Sequence, residues 1–171
     1  MGRISDEELL DLLNLYDEEL DKQILVIAVG GTAMTLLKIK SSTKDIDFNI
    51  PYNDDFKEFT RVKNKIETDI KIDSWYSNLI FSEILPEDYI DLSIKYKTDF
   101  KNIDLRILNP IDIACSKISR LSDSDMSDIK SCIKYVNITK SQLIERASQY
   151  SRVGSDEVFE LNLKYIIENI F

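Results

Sequence analysis

Two aspartates separated by one residue are the clearest candidates for chemistry in this sequence. Asp45 and Asp47 begin the alternating segment Asp-Ile-Asp-Phe-Asn-Ile at residues 45–50, which is ended by Pro51. This alternation predicts a β-strand, on which side chains two residues apart point to the same face. Two carboxylates held so close repel each other unless a cation joins them, and hard divalent cations prefer oxygen ligands. We therefore predict that Asp45 and Asp47 bind Mg²⁺ or Mn²⁺.

A pair of glycines upstream of these acids could hold phosphate. Gly30 and Gly31 directly follow the apolar run at residues 24–29, a pattern that predicts a buried strand entering a tight turn. A helix is expected to begin at Thr32. Glycine lets the backbone approach a ligand closely, and backbone amides at a helix start attract anions. The segment therefore predicts a triphosphate contact by Gly30, Gly31 and Thr32, to which Lys44 could add a positive charge.

A phosphate cradle beside a dicarboxylate strand is an arrangement suited to metal-assisted nucleotidyl transfer. The composition excludes several other chemistries, because the chain contains no histidine. Ser-His-Asp and Cys-His catalysis, histidine general bases and most zinc enzymes are thereby ruled out. The chain has 22 basic and 31 acidic residues, a net charge of −9, which disfavours a global attraction to nucleic acid. A local basic patch remains compatible with this charge.

Several segments together resemble a known superfamily. These are the Gly-Gly-Thr-Ala motif at 30–33, the Asp-Ile-Asp motif within 42–48, the Lys-Ile-Ser-Arg segment at 117–120 and the spaced aspartates at 125–129. Over about residues 24–133 the chain resembles nucleotidyltransferases of the DNA polymerase β type. The resemblance is greatest to the AbiEii-type branch and its uncharacterised prokaryotic relatives, which include toxin–antitoxin components. It implies a nucleotidyltransferase fold that uses a divalent metal and a nucleoside triphosphate (NTP).

The resemblance also implies further site residues. The superfamily supplies a third metal-binding carboxylate from a later strand, and Asp104 has the expected apolar-acid-apolar setting. Asp91 and Asp73 remain alternatives for that position. Lys117 matches the lysine of the later helical segment, so it is expected to steady negative charge during catalysis. An ion pair with Asp128 on the next predicted helix is the structural alternative for Lys117.

The elements that must position these residues can be predicted from periodicity and caps. We expect an α/β (α+β) fold in which helices flank a mixed, mainly antiparallel sheet. Residues 1–108 would form the nucleotidyltransferase core with its N-terminal helix, and residues 109–171 a helical region packed on that core. The expected helices are 6–20, 32–39, 54–68, 110–121, 124–136, 140–150 and 155–169, and the expected strands are 24–29, 45–50, one or two within 70–82, and a hairpin of 89–96 with 102–108.

These features predict an enzyme that transfers a nucleoside monophosphate from an NTP to a hydroxyl of RNA or protein. The resemblance adds a cognate protein partner to the expectation. The alternative is a binding module or antitoxin-like partner that has kept the fold and lost the chemistry. No apolar run reaches the length that a membrane span needs, and the first residues lack a signal pattern, so a cytoplasmic protein with no membrane contact is expected. Cys115 and Cys132 would then be reduced thiols.

Overall fold

The computed structural model describes residues 2–171 of the chain. They form two compact units, each built from two stretches of sequence. The first unit contains the residues up to Asn78 together with Ser93–Leu108, and the second contains Leu79–Leu92 together with Asn109–Phe171. The segment Leu79–Leu92 therefore groups with the C-terminal residues, whereas the sequence-based division placed it in the core. None of the helices in residues 2–171 is both long and apolar enough to span a membrane.

The described chain contains sixteen helices and strands, each of which belongs to one of the two units. In chain order these are α1 (Asp6–Glu19), β1 (Ile24–Ala28), α2 (Gly30–Leu36), β2 (Ile46–Ile50), α3 (Asn53–Lys65), β3 (Ile72–Tyr76), β4 (Leu79–Ile80), β5 (Glu83–Ile84), α4 (Tyr89–Leu92), β6 (Ile94–Lys95), β7 (Ile103–Ile107), α5 (Pro110–Cys115), α6 (Asp123–Val136), α7 (Lys140–Ser148), β8 (Ser151–Arg152) and α8 (Asp156–Ile170). The first unit holds α1 to α3 and five strands, and the second holds α4 to α8 and three short strands.

The sheet of the first unit has the strand order β3-β2-β1-β7-β6. Strands β2 and β3 are parallel, as are β1 and β7, while β1 with β2 and β6 with β7 are antiparallel. In the second unit β4, β5 and β8 form an antiparallel sheet. Four of the six strand pairings in the described chain are thus antiparallel. The predicted mixed sheet flanked by helices is confirmed, and so is the predicted pairing of β1 with β2.

The two faces of the five-stranded sheet differ in chemistry. Because side chains alternate along a strand, the register places apolar residues of β1, β2 and β7 on one shared face. Phe48 on that face contacts Phe59 of α3 with ring centroids 5.8 Å apart, and Phe59 contacts Tyr16 of α1 at 5.3 Å. These rings are almost completely buried. The opposite face carries the charged residues of β2, β3 and β7.

Helix α1 is fixed at both ends by polar contacts. Ser5 and Glu8 form the predicted capping box at its start. Near its end, the buried carboxylate of Asp17 accepts hydrogen bonds from the backbone amides of Asn102 at 2.7 Å and Ile103 at 2.8 Å. This carboxylate therefore joins α1 to the start of β7, and so it helps to set the position of the sheet that carries the acids.

Three local predictions differ from the structure. Helix α2 begins at Gly30 rather than Thr32. Tyr89–Leu92 is a short helix rather than the first half of a hairpin, so only Ile94–Lys95 pairs with β7. Helix α5 ends at Cys115 rather than near residue 121. At this end the Ser116 hydroxyl donates a hydrogen bond to the carbonyl of Ile113 at 2.9 Å. A serine hydroxyl bonded to a nearby carbonyl competes with helix propagation.

Candidate active site

Both glycines that follow β1 are required by the local backbone. Gly30 has φ 54°, a left-handed conformation that residues with a side chain rarely adopt. A Cβ atom on Gly31 would lie 2.6 Å from Oγ1 of Thr43, which is too close for any real contact. The glycine pair thus lets the chain turn directly from β1 into α2 and lets Thr43 approach the helix start.

Two threonine hydroxyls hold the backbone of the aspartate motif against this turn. Thr32 is fully buried, and its Oγ1 accepts a hydrogen bond from the Asp47 amide at 2.8 Å. Thr43 is also buried, and its Oγ1 donates to the carbonyl of Asp45 at 2.9 Å. The Thr32 hydroxyl predicted to contact phosphate is therefore engaged inside the fold. Its observed contact positions the strand that carries the two acids.

Asp45 and Asp47 lie beside two charged residues at the start of β3. In the parallel pairing of β2 with β3, Asp47 is directly opposite Asp73, and the same register places Asp45 opposite Lys71. Neighbouring strands are about 4.8 Å apart, and opposed residues share a face, so these four side chains form one group. We call it the strand-acid cluster (Asp45, Asp47, Lys71 and Asp73). Asp47 is buried, while Asp45 and Asp73 are half-buried.

Lys71 is the cation of the strand-acid cluster. Its Nζ lies 2.5 Å from Oδ2 of Asp73. This hydrogen bond, followed by the attraction of the Asp73 charge, raises the pKa of Lys71 above its ordinary value, and Asp45 and Asp47 add further attraction. Sequence reasoning missed Lys71 and gave Asp73 only as an alternative. The pattern Lys-Ile-Asp at 71–73 beside Asp-Ile-Asp at 45–47 was the available signal.

Asp104 is separated from the strand-acid cluster by the sheet register. It lies opposite Leu25 on β1, whereas the backbone carbonyl of Asp47 accepts from the Val29 amide at 3.1 Å. The two aspartates are therefore two strands apart and four residues apart along the strands. At ordinary strand spacing this places their Cα atoms about 16 Å apart, too far for one metal ion to bridge. Asp104 is therefore not placed to complete a metal site with Asp45 and Asp47, as the sequence predicted, whereas Asp73, one of the two alternatives, lies opposite Asp47.

Asp104 instead contacts two basic side chains near the opposite edge of the sheet. Its carboxylate lies 3.8 Å from Nζ of Lys95 and 3.5 Å from Nε of Arg106. Of the other candidates, Lys44 is exposed in the loop before β2, and Asp91 is exposed on α4 in the second unit.

The donor set of the strand-acid cluster fits a divalent ion that arrives with a nucleotide. No group of three or more His, Cys, Asp or Glu side chains within residues 2–171 is arranged to hold a metal ion. Magnesium, however, is usually bound by one or two carboxylates together with substrate phosphates and water. Asp45 and Asp47 provide two carboxylates at the start of β2, two and four residues after Thr43, which approaches the start of α2. These residues therefore suit an ion that shares its coordination with phosphate oxygens.

Lys117 is held by carboxylates of its own unit. Its Nζ lies 3.2 Å from Oδ1 of Asp125 and 3.0 Å from Oδ2 of Asp128, and all three side chains are at most 7% exposed. Arg120 also contacts Asp125, at 3.2 Å. Burial opposes ionisation of Asp125, but the hydrogen bond from Ser122 and the attraction of Lys117 and Arg120 lower its pKa. The ion pair with Asp128, which was the structural alternative for Lys117, is thus present, while the catalytic role of Lys117 stays a prediction.

Comparisons with known proteins agree with this fold. The sequence matches, over residues 6–166, the family described as nucleotidyltransferase of unknown function (DUF6036). Among solved structures, the chain is similar to an antigenic nucleotidyltransferase-like protein from Paracoccidioides brasiliensis, with a TM-score of 0.52 and 10% identity over 98% of this chain and 90% of that chain. At this identity the similarity shows the fold alone. A comparison with curated proteins gives no match. Since the family match covers nearly the whole chain, this protein belongs to the DUF6036 family of nucleotidyltransferases of unknown function.

Proposed function

We propose that this protein is a metal-dependent nucleotidyltransferase that transfers a nucleoside monophosphate from an NTP to a hydroxyl of RNA or protein. The observation that carries the proposal is the strand-acid cluster, where Asp47 and Asp73 lie opposite each other on β2 and β3 and Asp45 directly precedes β2. Membership of a nucleotidyltransferase family supports the reaction class. The oxygen-only donor set supports Mg²⁺ or Mn²⁺ as the cofactor.

In the proposed reaction the acceptor hydroxyl oxygen forms a bond to the α-phosphorus of the NTP. The bond between the α-phosphorus and the oxygen that joins it to the β-phosphorus breaks. Pyrophosphate leaves with the electron pair, and the hydroxyl proton is released. Asp45 and Asp47 would hold the divalent ion together with phosphate oxygens of the NTP, and Asp73 would add negative charge beside them. The ion, when bound, would neutralise charge on the phosphoryl oxygens. Thr32 and Thr43 fix the backbone of the two strand aspartates.

The remaining residues of the proposed site act on the triphosphate. The backbone amides at Gly30 and Gly31 are donors that suit phosphate oxygens, because they lie at the start of α2. Lys44 is exposed and directly precedes Asp45, so its flexible side chain can bring an ammonium group to the phosphates. Lys117 remains a proposed contributor, although its charge is compensated by Asp125 and Asp128 within the second unit.

The resemblance to the AbiEii-type branch supports two finer proposals. The first is that the protein acts with a cognate protein partner in a toxin–antitoxin pair. The second is that the acceptor is an RNA brought by such a partner or a protein side chain, since the net charge of −9 disfavours unaided binding of nucleic acid. A global charge of this sign weakens non-specific attraction to a phosphate backbone.

Labelled NTPs test the proposed function directly. The wild-type protein, Asp47→Asn and Asp104→Asn are each incubated with one radiolabelled NTP, Mg²⁺ and a cell extract. Asp104→Asn is the matched control, because it makes the same change on the same sheet about 16 Å away. We expect label in an RNA or protein band with wild type and Asp104→Asn, and a loss of at least about 10²-fold with Asp47→Asn. Equal labelling by all three proteins would reject this active site.

A second candidate function is a nucleotide-binding module without catalysis. The observation in its favour is that an ammonium group, that of Lys71, lies within the acid cluster. In that case the protein would bind an NTP in the same labelling experiment but would transfer no label, whichever extract was supplied. Nucleotide binding that is lost in Asp47→Asn, combined with the absence of transfer, would decide for this candidate.

A further inference from the structure

The strand-acid cluster contains a cation of its own. Lys71 is two residues before Asp73 on the same strand face, and its Nζ is 2.5 Å from the Asp73 carboxylate. The Asp45 and Asp47 charges also attract it. The ammonium is therefore paired with Asp73 and is attracted by the two carboxylates to which the divalent ion is assigned.

The charges within the cluster make the two cations competitors. Three carboxylates and one ammonium leave a net charge of −2, so the cluster attracts cations but less strongly than the carboxylates alone would. A divalent ion a few ångströms from the ammonium is repelled by it, and the repulsion is only partly screened by water at a half-buried site. The Lys71 side chain is 58% exposed, so it can move away from Asp73 without unpacking the core.

We propose that Lys71 is an internal counter-cation that the divalent metal ion must displace, so that the ion binds tightly only together with an NTP. This inference rests on the proposed function and adds a mode of regulation to the same site. The phosphates of the NTP bring enough negative charge to accommodate both the metal ion and the displaced ammonium. Metal loading is thereby coupled to nucleotide binding, and by linkage the two ligands increase each other's affinity equally.

The alternative is that Lys71 forms only an exposed ion pair with Asp73. Exposed pairs of this kind contribute little to stability and are easily exchanged for solvent. In that case the ammonium would have no effect on ions bound at Asp45 and Asp47. The two accounts differ in the affinity of the cluster for a metal ion in the absence of nucleotide.

Calorimetric titration with Mn²⁺ alone distinguishes them. The proteins are wild type, Lys71→Met, Lys71→Arg and Lys57→Met, each titrated with and without a non-hydrolysable NTP analogue. Lys57→Met is the matched control, because it removes the same charge from an exposed position on α3, which packs on the apolar face of the sheet. Lys71→Arg keeps the charge at the cluster.

Without nucleotide, Lys71→Met is expected to bind Mn²⁺ about tenfold more tightly than wild type, while Lys71→Arg and Lys57→Met stay within about twofold of it. The gain in Mn²⁺ affinity on adding the NTP analogue should be correspondingly smaller in Lys71→Met. Equal Mn²⁺ affinity in wild type and Lys71→Met would overturn the inference and leave the proposed function intact. An equal rise in Lys57→Met would overturn it too, since net charge alone would then explain the effect. If no variant bound Mn²⁺ with the analogue present, both the inference and the proposed function would fail.

Discussion

Two clusters of aspartate and basic side chains, one in each unit, differ in balance and exposure. The strand-acid cluster has three carboxylates and one ammonium, and the Lys71 side chain is 58% exposed. The second, the helical ion-pair cluster (Lys117, Arg120, Asp125 and Asp128), has two charges of each sign. In it the Lys117, Asp125 and Asp128 side chains are at most 7% exposed. An excess of accessible negative charge attracts a ligand, whereas a balanced and buried set of charges fixes the fold.

A second network in the same unit also pairs a buried arginine with a buried aspartate. Arg146 is buried and donates to both oxygens of Asp112, at 2.6 and 2.9 Å. It also donates to Asp88 at 2.7 Å, and the Tyr150 hydroxyl donates to Asp112 at 3.0 Å. Asp112 is completely buried, so these bonds are needed to offset the loss of its hydration. Charged residues of this unit therefore join α5, α7 and the segment before α4.

The largest expected effect is a difference in stability between two variants, each of which removes the lysine of one cluster. Lys117→Met leaves Asp125 and Asp128 buried without their shared ammonium, so it should lower the free energy of unfolding by about 3–5 kcal/mol. Lys71→Met removes only an exposed ion pair and should lower the free energy of unfolding far less than Lys117→Met does. Urea unfolding followed by circular dichroism measures both, with Lys130→Met on the exposed side of α6 as the control. Similar costs for Lys117→Met and Lys71→Met would remove the distinction between the two clusters.

The next effect concerns which carboxylate joins Asp45 and Asp47. Asp73→Asn should reduce nucleotidyl transfer by about 10²-fold, because it removes a charged oxygen donor from the cluster while keeping the side chain's shape. Asp91→Asn, on α4 of the second unit, is the control and should leave transfer unchanged. Initial rates with a labelled NTP provide the measurement. Full activity in Asp73→Asn would limit the site to Asp45 and Asp47.

A moderate effect is expected at the turn that leads to the strand-acid cluster. Gly31→Ala places a Cβ 2.6 Å from Oγ1 of Thr43, whose hydroxyl is bonded to the Asp45 carbonyl. The steric conflict should cost about 1–3 kcal/mol of unfolding free energy. Gly154→Ala, where a Cβ would meet nothing within 4 Å, serves as the control for the same substitution.

Adding Thr43→Ala to Gly31→Ala removes the colliding oxygen and should recover part of the lost stability. If Gly31→Ala were as stable as wild type, the close approach of Thr43 to the helix start would not be a constraint on the site. The Gly31 requirement would then have to come from the ligand.

The smallest effect is the pH dependence of the helical ion-pair cluster. The pKa of Asp125 is lowered in the fold from its ordinary 3.8, so its ionised form contributes stability above about that pH. That contribution is lost as the pH falls through the lower folded value. The difference in unfolding free energy between wild type and Asp125→Asn should therefore be larger at about pH 6 than at about pH 3. A difference for Asp125→Asn that stays constant between these two pH values would contradict the assignment.

Much of the fold could be predicted from local sequence. Alternation at residues 45–50, the apolar run before Gly30 and the capping boxes predicted β2, β1 and several helices within a few residues. These signals are local, because they depend on side-chain period and on caps. The grouping of Leu79–Leu92 with the C-terminal residues had no such signal, since it depends on contacts distant in sequence.

The candidate site could be predicted only in part. The spacing of Asp45 and Asp47 indicated a shared face, but the choice among Asp73, Asp91 and Asp104 required the pairing register. That register is set by tertiary packing, and a shift of a few residues changes which carboxylate is opposite Asp47. The approach of Thr43 to the helix start likewise could not be predicted from the sequence. It explains why residue 31 is a glycine, because a Cβ there would collide with Thr43.

The central claim is that the strand-acid cluster binds a metal ion together with an NTP. The most direct test is a crystal soaked with Mn²⁺ and a non-hydrolysable NTP analogue, in which anomalous scattering locates the manganese. We predict a manganese peak coordinated by the Asp45 and Asp47 carboxylates, with the triphosphate bound beside the Gly30–Gly31 turn. A nucleotide and manganese ion bound elsewhere on the chain, with Lys71 still paired to Asp73, would contradict the account.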